Sequence, residues 1–224
     1  MPECALMASP SKSSDEDVLF EKQYVEEDVF VRVLGESTEA IERNDIPYAV
    51  IGGIPSSVMG RPRWTEDKAD IDFFVKLQDS RKTLEALAEA GFATREEDPS
   101  WLFKGTKDGV VVDVIFRSTG DIYLDDEMIQ RSVLGDFKGT PVRLVAPEDL
   151  VVMKAVAHSE ISPGYWHDAV GILGRSELDW DYLIRRARQY GAHRILSLLI
   201  YAQSNDIVVP NSVIGSLFED IYRQ

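Results

Sequence analysis

Two aspartates that alternate along one short apolar run are the strongest chemical signal in the sequence. Asp70 and Asp72 stand in the run Asp-Ile-Asp-Phe-Phe-Val, whose composition predicts a strand. Alternate residues of a strand point to one face, so the two carboxylates stand side by side while Ile71 and Phe73 fill the opposite face. Adjacent carboxylates repel, and a divalent cation such as Mg²⁺ relieves that repulsion, with substrate phosphates completing its shell. A solvent-facing polar edge is the alternative.

A third carboxylate, Asp113, lies inside the run Val-Val-Val-Asp-Val-Ile-Phe at residues 110–116. This run is apolar on both faces, which is typical of a central strand. A lone carboxylate is costly there unless it is paired or bound to a metal. A buried structural hydrogen bond is the alternative reading.

Two further features suit phosphate groups. Gly52 and Gly53 lie between a predicted strand and a short helix that carries Ser57, so backbone N–H groups, a helix end and a hydroxyl could meet a phosphate there. Neither the Rossmann nor the Walker pattern of glycines occurs, and a tight turn is the alternative. Lys154 could supply positive charge to a triphosphate, with Asp168 orienting it, or both could solvate a helix face.

The elements that must position these residues are predicted from periodicity and breakers. Strands are predicted at 48–51, 71–75, 101–105 and 110–116, with 142–145 closing the sheet; helices at about 18–44, 54–59, 81–90, 147–157, 166–173, 180–190, 194–202 and 212–222. The fold class is therefore α+β, a mixed sheet flanked by helices and followed by a C-terminal helical region. Residues 1–17 are predicted to be disordered, 18–146 to form the α/β domain, and 147–224 to form the helical region.

Composition limits the partners. The chain of 224 residues has a net charge of −15, from 24 basic and 39 acidic residues, which argues against broad adhesion to nucleic acid or membranes. One cysteine, Cys4, cannot form an internal disulfide and fits a reducing cytoplasm. A local basic cluster could still meet a transfer RNA end or simply be a solvated helix face: Arg185, Arg186, Arg188, His193 and Arg194.

In their order, these motifs resemble the DNA polymerase β superfamily of nucleotidyltransferases, in its small stand-alone bacterial branch. That branch includes antibiotic nucleotidyltransferases and abortive-infection type toxins. The family pattern is a hydrophobic residue with Gly-Gly or Gly-Ser, then Asp-hydrophobic-Asp, then an Asp on a later strand, and the resemblance runs from about Tyr48 to Tyr190. The spacer from Gly53 to Asp70 is 16 residues (54–69), a few longer than the family usually shows. Asp67 falls at the commoner distance, but its partner two residues on is an alanine, so Asp-Lys-Ala at 67–69 is interpreted as a short insertion.

The resemblance implies a fold of nucleotidyltransferase type and an activity. A nucleoside monophosphate would pass from a nucleoside triphosphate to a hydroxyl acceptor, with Mg²⁺ or Mn²⁺ as cofactor. Asp70 and Asp72 would be metal ligands, and Asp113 a ligand and base. Phosphate contacts would come from Gly52, Gly53, Ser57 and Lys154. The acceptor could be transfer RNA, another RNA, a protein or an aminoglycoside-like small molecule, and a toxin of this type could have an antitoxin protein as partner. A catalytically silent domain that binds nucleotide or a protein partner is the alternative.

Overall fold

A seven-stranded mixed sheet is the frame that carries the predicted carboxylates. The computed structural model describes residues 19–60 and 70–223. The predicted disorder of residues 1–17 and the insertion at 67–69 lie outside those residues. The strands are β1 (Tyr48–Ile51), β2 (Asp70–Val75), β3 (Ala93–Asp98), β4 (Leu102–Lys107), β5 (Val110–Ile115), β6 (Val133–Phe137) and β7 (Thr140–Leu144).

The strand order across the sheet is β3-β4-β5-β2-β1-β7-β6. Two neighbouring pairs, β2 with β5 and β1 with β7, are parallel, and the other four are antiparallel. Strands β2 and β5 therefore occupy central positions, with both edges of each hydrogen-bonded to a neighbour. This mixed topology confirms the α+β class.

Nine α-helices lie within the described residues, and they cover both faces of the sheet. They are α1 (Glu27–Arg43), α2 (Gly53–Met59), α3 (Ser80–Glu89), α4 (Asp126–Arg131), α5 (Pro147–Ala157), α6 (Gly164–Leu173), α7 (Trp180–Tyr190), α8 (Ala192–Ser204) and α9 (Asn211–Tyr222). In the part of the chain that the structure describes, none of them is both long and apolar enough to cross a lipid bilayer.

Successive side chains of strand β2 point to opposite faces of the sheet and so belong to two different apolar clusters. Ile71, Phe73 and Val75 pack with residues of α1 and α3 on one face. Phe74 belongs to the other cluster, which contains the apolar side chains of α5 and α6. Since side chains two residues apart share a face, Asp70 and Asp72 lie on the Phe74 face, below the C-terminal helices.

Three details of the predicted elements were wrong. The helix expected from about residue 18 begins only at Glu27, and residues 21–26 have no regular secondary structure. The strand expected to close the sheet is β7, but it lies between β1 and β6 rather than at an edge. Strands β3 and β6 were not predicted, because they are edge strands whose mostly exposed, polar or glycine-containing sequences lack an apolar alternation. Helix α4 was not predicted either. The division into domains at residue 146 stays a prediction.

A buried ion pair ties α5, which carries Lys154, to α7. Arg186 Nε donates to Asp149 Oδ1 at 2.7 Å, and the hydroxyl of Tyr182 donates to Asp149 Oδ2 at the same distance. Arg186 also donates to Asp125, just before α4, at 2.6 Å. All three partners on α5 and α7 are almost completely buried, so this network fixes the two helices relative to each other.

Arg186→Met should lower the free energy of unfolding by about 3 kcal/mol, because it leaves the buried Asp149 carboxylate without its cation. Urea unfolding followed by circular dichroism measures the change. Arg188→Met is the matched control, because Arg188 pairs with Asp220 on the surface and its loss should cost less than about 1 kcal/mol. Equal losses in the two variants would contradict the structural role of the buried pair.

Candidate active site

The three predicted carboxylates converge at one point of the sheet. The parallel register of β2 and β5 places Asp72 directly opposite Asp113, and Asp70 opposite Val111. One oxygen from each of Asp70, Asp72 and Asp113 lies within 4.8 Å of the other two. The sequence placed two of these residues on one strand face, and the neighbouring parallel strand brings the third to them. We refer to these three residues as the acidic triad.

The turn at Gly52 is shaped around Asp72. The antiparallel pairing of β1 with β2 sets Ile51 opposite Asp72, so the turn that follows Ile51 lies beside the Asp72 side chain. Gly52 has a φ of 77°, and a Cβ built on it would lie 1.9 Å from Asp72 Oδ2. The Ser56 hydroxyl donates a hydrogen bond of 2.7 Å to the Gly52 carbonyl oxygen and so stabilises the turn. Only glycine leaves room for the Asp72 carboxylate here.

Crowding of like charges changes the titration of the triad. Burial raises the pKa of Asp72 well above its ordinary value, and repulsion from Asp70 and Asp113 raises it further. Burial also raises the pKa of Asp113, although the attraction of Lys104 opposes that rise. The carboxylates are therefore held together at a cost in charge repulsion that a bound cation would remove.

Two lysines flank the triad. Lys104 lies opposite Asp113 in the antiparallel β4–β5 pair, with its Nζ 3.7 Å from Asp113 Oδ1. Lys22, from the irregular segment before α1, donates a hydrogen bond to Asp70 Oδ2. Each lysine thus contacts one of the outer two aspartates, and both contribute positive charge that partly balances the triad.

The donor set fits a divalent cation with oxygen ligands. Asp113 Oδ1 is buried and accepts no hydrogen bond from the described residues, since Lys104 Nζ lies beyond hydrogen-bonding distance. A buried carboxylate oxygen without a hydrogen-bond partner is uncommon and is consistent with an ion or water binding there. Three carboxylates at this separation suit Mg²⁺ or Mn²⁺ better than a softer metal, which would prefer nitrogen or sulfur ligands.

A cavity of about 470 Å³ opens beside the triad. Its wall includes Gly52 and Asp72 on the sheet side and Lys154 on the helix side. Lys154 is buried and its Nζ lies 3.0 Å from Asp168 Oδ2, which confirms the predicted contact between these two residues. The volume lies within the range of a small-molecule pocket.

The other predicted phosphate contacts are less central. Gly53 is exposed at the first position of α2, and Ser57 is half-buried one turn further on. Among the described residues, the cavity wall includes neither of them. Their roles stay predictions.

Several residues of the site were not found from the sequence. The cavity wall also contains Trp101, Arg117 and Tyr165, none of which stands in a recognisable motif. Lys104 could have been found, because the two-residue turn at Asp108-Gly109 fixes the hairpin register that sets residue 104 opposite Asp113. No sequence pattern connects Lys22 with Asp70, 48 residues away.

The predicted basic cluster is largely neutralised within the chain. Arg185 pairs with Glu127, Arg186 with Asp149 and Asp125, and Arg188 with Asp220. Arg194 donates to the main-chain carbonyl of His158 at 2.6 Å. The cluster therefore offers less unpaired positive charge to an RNA than its sequence indicates.

Comparison with known proteins gives one family. Residues 26–204 match the model of a family described as "Uncharacterised nucleotidyltransferase". Among curated proteins, no sequence matches the chain significantly.

Solved structures with the same fold share little sequence with the chain. The solution structure of the antibiotic-resistance factor ANT(2'')-Ia is 18% identical, with a TM-score of 0.51 over 80% of this chain and 94% of that one. Its crystal structure in complex with adenylyl-2''-tobramycin gives the same identity and TM-score over 72% and 97%. An antigenic nucleotidyltransferase-like protein from Paracoccidioides brasiliensis is 12% identical, with a TM-score of 0.51 over 89% and 99%. These likenesses concern the fold.

Gly52→Ala should destabilise the protein by about 2 kcal/mol and displace the Asp72 carboxylate, because the added Cβ overlaps Asp72 Oδ2 and the positive φ is strained. Gly53→Ala is the matched control, because a Cβ there meets nothing within 4 Å. Thermal unfolding and Mn²⁺ calorimetry would compare the two variants. Intact Mn²⁺ binding in Gly52→Ala would contradict the close approach.

Asp72→Asn should raise the stability of the metal-free protein by about 1 kcal/mol at neutral pH, because it removes charge repulsion. The folded-state pKa of Asp72 lies above the unfolded value of about 4, so ionisation of Asp72 opposes folding as pH rises above that value. The stability of the wild type relative to Asp72→Asn should therefore fall as pH rises from about 4.

Urea unfolding in the presence of a chelator, measured across that pH range, tests this expectation. The control is Asp126→Asn, an exposed aspartate paired with Lys76, which should change stability by less than about 0.5 kcal/mol. A metal-free Asp72→Asn protein less stable than the wild type at neutral pH would show that the triad is not repulsive.

Proposed function

The chain belongs to this nucleotidyltransferase family, and from that premise we propose that it transfers a nucleoside monophosphate from a nucleoside triphosphate to a hydroxyl acceptor with the help of a divalent metal. The observation that carries the proposal is the meeting of Asp70, Asp72 and Asp113, of which Asp72 lines a cavity whose wall also contains Lys154. Family membership makes the chain a nucleotidyltransferase. Its metal dependence, site residues and acceptor are our proposal.

Asp70, Asp72 and Asp113 would hold Mg²⁺ or Mn²⁺. When bound there, such a cation supplies positive charge that stabilises the attacking and leaving oxygens of a displacement at phosphorus. The support is the donor set itself, three carboxylates with one buried oxygen that has no hydrogen-bond partner among the described residues.

Lys154 would hold the triphosphate from the helix side of the cavity. Its ion pair with Asp168 fixes the ammonium in a buried position, where a fixed charge acts more strongly on a phosphate than an exposed one. Gly52 lines the cavity next to Asp72, so a phosphate bound beside Asp72 would lie close to the Gly52 backbone. Gly53 and Ser57 would add N–H and hydroxyl donors at the start of α2.

Asp113 would take the proton of the acceptor hydroxyl. Its raised pKa makes it a stronger base than an ordinary carboxylate, and Lys104 holds it from the neighbouring strand. In the proposed step, the acceptor oxygen forms a bond to the α-phosphorus while the bond between that phosphorus and the oxygen of the β-phosphate breaks. Pyrophosphate leaves, and the proton passes from the acceptor to Asp113 and then to water.

The acceptor classes differ in the support that they have. A small molecule suits the cavity beside the triad, and the structural neighbour ANT(2'')-Ia, bound to adenylyl-2''-tobramycin, has the same fold. Internal pairing of Arg185, Arg186 and Arg188 weakens the case for transfer RNA. A protein acceptor, a toxin role and an antitoxin partner stay predictions from the family resemblance. A cytoplasmic location, which would supply nucleoside triphosphates, fits the lone cysteine.

The proposal is tested by transfer of label from each of four α-³²P nucleoside triphosphates. Purified protein is incubated with Mg²⁺ or Mn²⁺ and, separately, with total RNA, lysate protein or a panel of aminoglycosides. Label should appear on one acceptor class, and Asp70→Asn, Asp72→Asn and Asp113→Asn should each lower the rate at least about 100-fold, because each removes a ligand or the base.

Asp126→Asn, which carries the same chemical change on the surface, should keep the wild-type rate. Wild-type rates in the three triad variants would refute the assignment of the site. If metal-dependent nucleotide binding were found by calorimetry without transfer to any acceptor, the silent-domain alternative would replace the enzyme.

A further inference from the structure

The segment that carries Lys22 contacts the acidic triad on its way to α1. Residues 21–26 have no regular secondary structure, yet the segment is held at both ends. Phe20 is buried, and the guanidinium of Arg95 on β3 lies 4.4 Å from its ring centroid. Val25 packs against the apolar cluster of Ile71, Phe73 and Val75 on the other face of the sheet, and a Cβ on Gly109 in the β4–β5 turn would lie 3.2 Å from it. We call residues 20–25 the strap.

Lys22 is the residue of the strap that reaches the triad. It lies between the two anchors, two residues after Phe20 and three before Val25, so its ammonium can move only as far as the strap and its own side chain allow. The register of the neighbouring strands aligns four charged residues in one row across the sheet: Arg95 on β3, Lys104, Asp113 and Asp72. Lys22 adds its charge at the acidic end of this row, on Asp70.

Charge holds Lys22 in this position. Burial works to lower the pKa of Lys22, but attraction to Asp70, with smaller contributions from Asp72 and Asp113, raises it above its ordinary value. The ammonium thus remains charged and interacts with all three carboxylates. A single positive charge can offset only part of the repulsion among them.

We propose that Lys22 is a tethered counter-cation of the acidic triad, which a divalent metal must displace from Asp70 as it binds. The Asp70 carboxylate that accepts from Lys22 also belongs to the proposed metal donor set. A divalent cation would bring twice the charge and bind more than one carboxylate, whereas the lysine is retained by its covalent tether. Two cations at one carboxylate repel each other, so metal binding and the Lys22 contact oppose each other.

The strap therefore sets how tightly the site binds metal. A loosely seated strap would leave the triad open to metal, and a firmly seated strap would require a higher metal concentration for loading. This inference rests on the metal role in the proposed function, but not on the transfer step itself.

The test measures Mn²⁺ binding to the whole metal-free chain by isothermal titration calorimetry. Lys22→Met keeps the length of the side chain and removes its charge, so the variant should bind Mn²⁺ about tenfold more tightly than the wild type. Phe20→Ala loosens one anchor without touching a charge and should change the affinity in the same direction. Lys76→Met is the matched control, because Lys76 pairs with Asp126 beyond the opposite end of β2 and should not affect binding.

The outcomes separate this inference from the proposed function. Tighter Mn²⁺ binding in Lys22→Met and Phe20→Ala, but not in Lys76→Met, supports the tethered counter-cation even if no acceptor is ever labelled. Unchanged or weaker binding in Lys22→Met, or no measurable Mn²⁺ binding in any variant, overturns it even if the wild type transfers label. Thermal unfolding of each variant verifies that it is folded, and Phe20→Ala carries the test if Lys22→Met is not.

Discussion

Repulsion among three carboxylates on two adjacent parallel strands is the constraint around which the rest of the site is arranged. The β2–β5 register sets Asp72 against Asp113, and Asp70 follows on the same face. Such an arrangement would not be retained in a central sheet for stability, because each charge raises the cost of the others. The apolar residues on the opposite face of β2, including Ile71 and Phe73, supply the burial that fixes the strand in spite of that cost.

Three lysines near the triad differ in how they offset its negative charge. Lys104 lies on strand β4, and the β4–β5 register sets it opposite Asp113, so its positive charge is a permanent part of the site. Lys22 is carried on an irregular segment with two anchors, so its contribution can be withdrawn. Lys154 pairs with Asp168 and lines the same cavity wall as Asp72. Under our proposal, one fixed lysine, one displaceable lysine and one lysine at the cavity wall would stabilise the triad without metal and still allow it to bind one.

Most of the fold was predictable because it depends on local patterns. Strands β1, β2, β4 and β5 and the C-terminal helices follow from apolar periodicity, and the Asp108-Gly109 turn fixes one hairpin. Edge strands β3 and β6 escaped prediction, since an exposed strand needs no apolar face. The parallel pairing of β2 with β5 is not a local property. It was not predicted, and only the family resemblance led us to expect Asp113 beside Asp70 and Asp72.

The contact between Lys22 and Asp70 could not be predicted from the sequence. The neighbours of Lys22 in the chain are acidic and polar, and the sequence predicts that the segment belongs to an amphipathic helix, which in the structure begins only at Glu27. The contact with Asp70 depends on where Phe20 and Val25 find apolar surface on a sheet formed by residues far along the chain. A motif identifies residues that must act together because they share a strand or a turn. A counter-cation needs only a positive charge and a side chain long enough to contact the carboxylates. Any lysine on a suitably anchored segment can therefore serve, and no sequence motif marks its position.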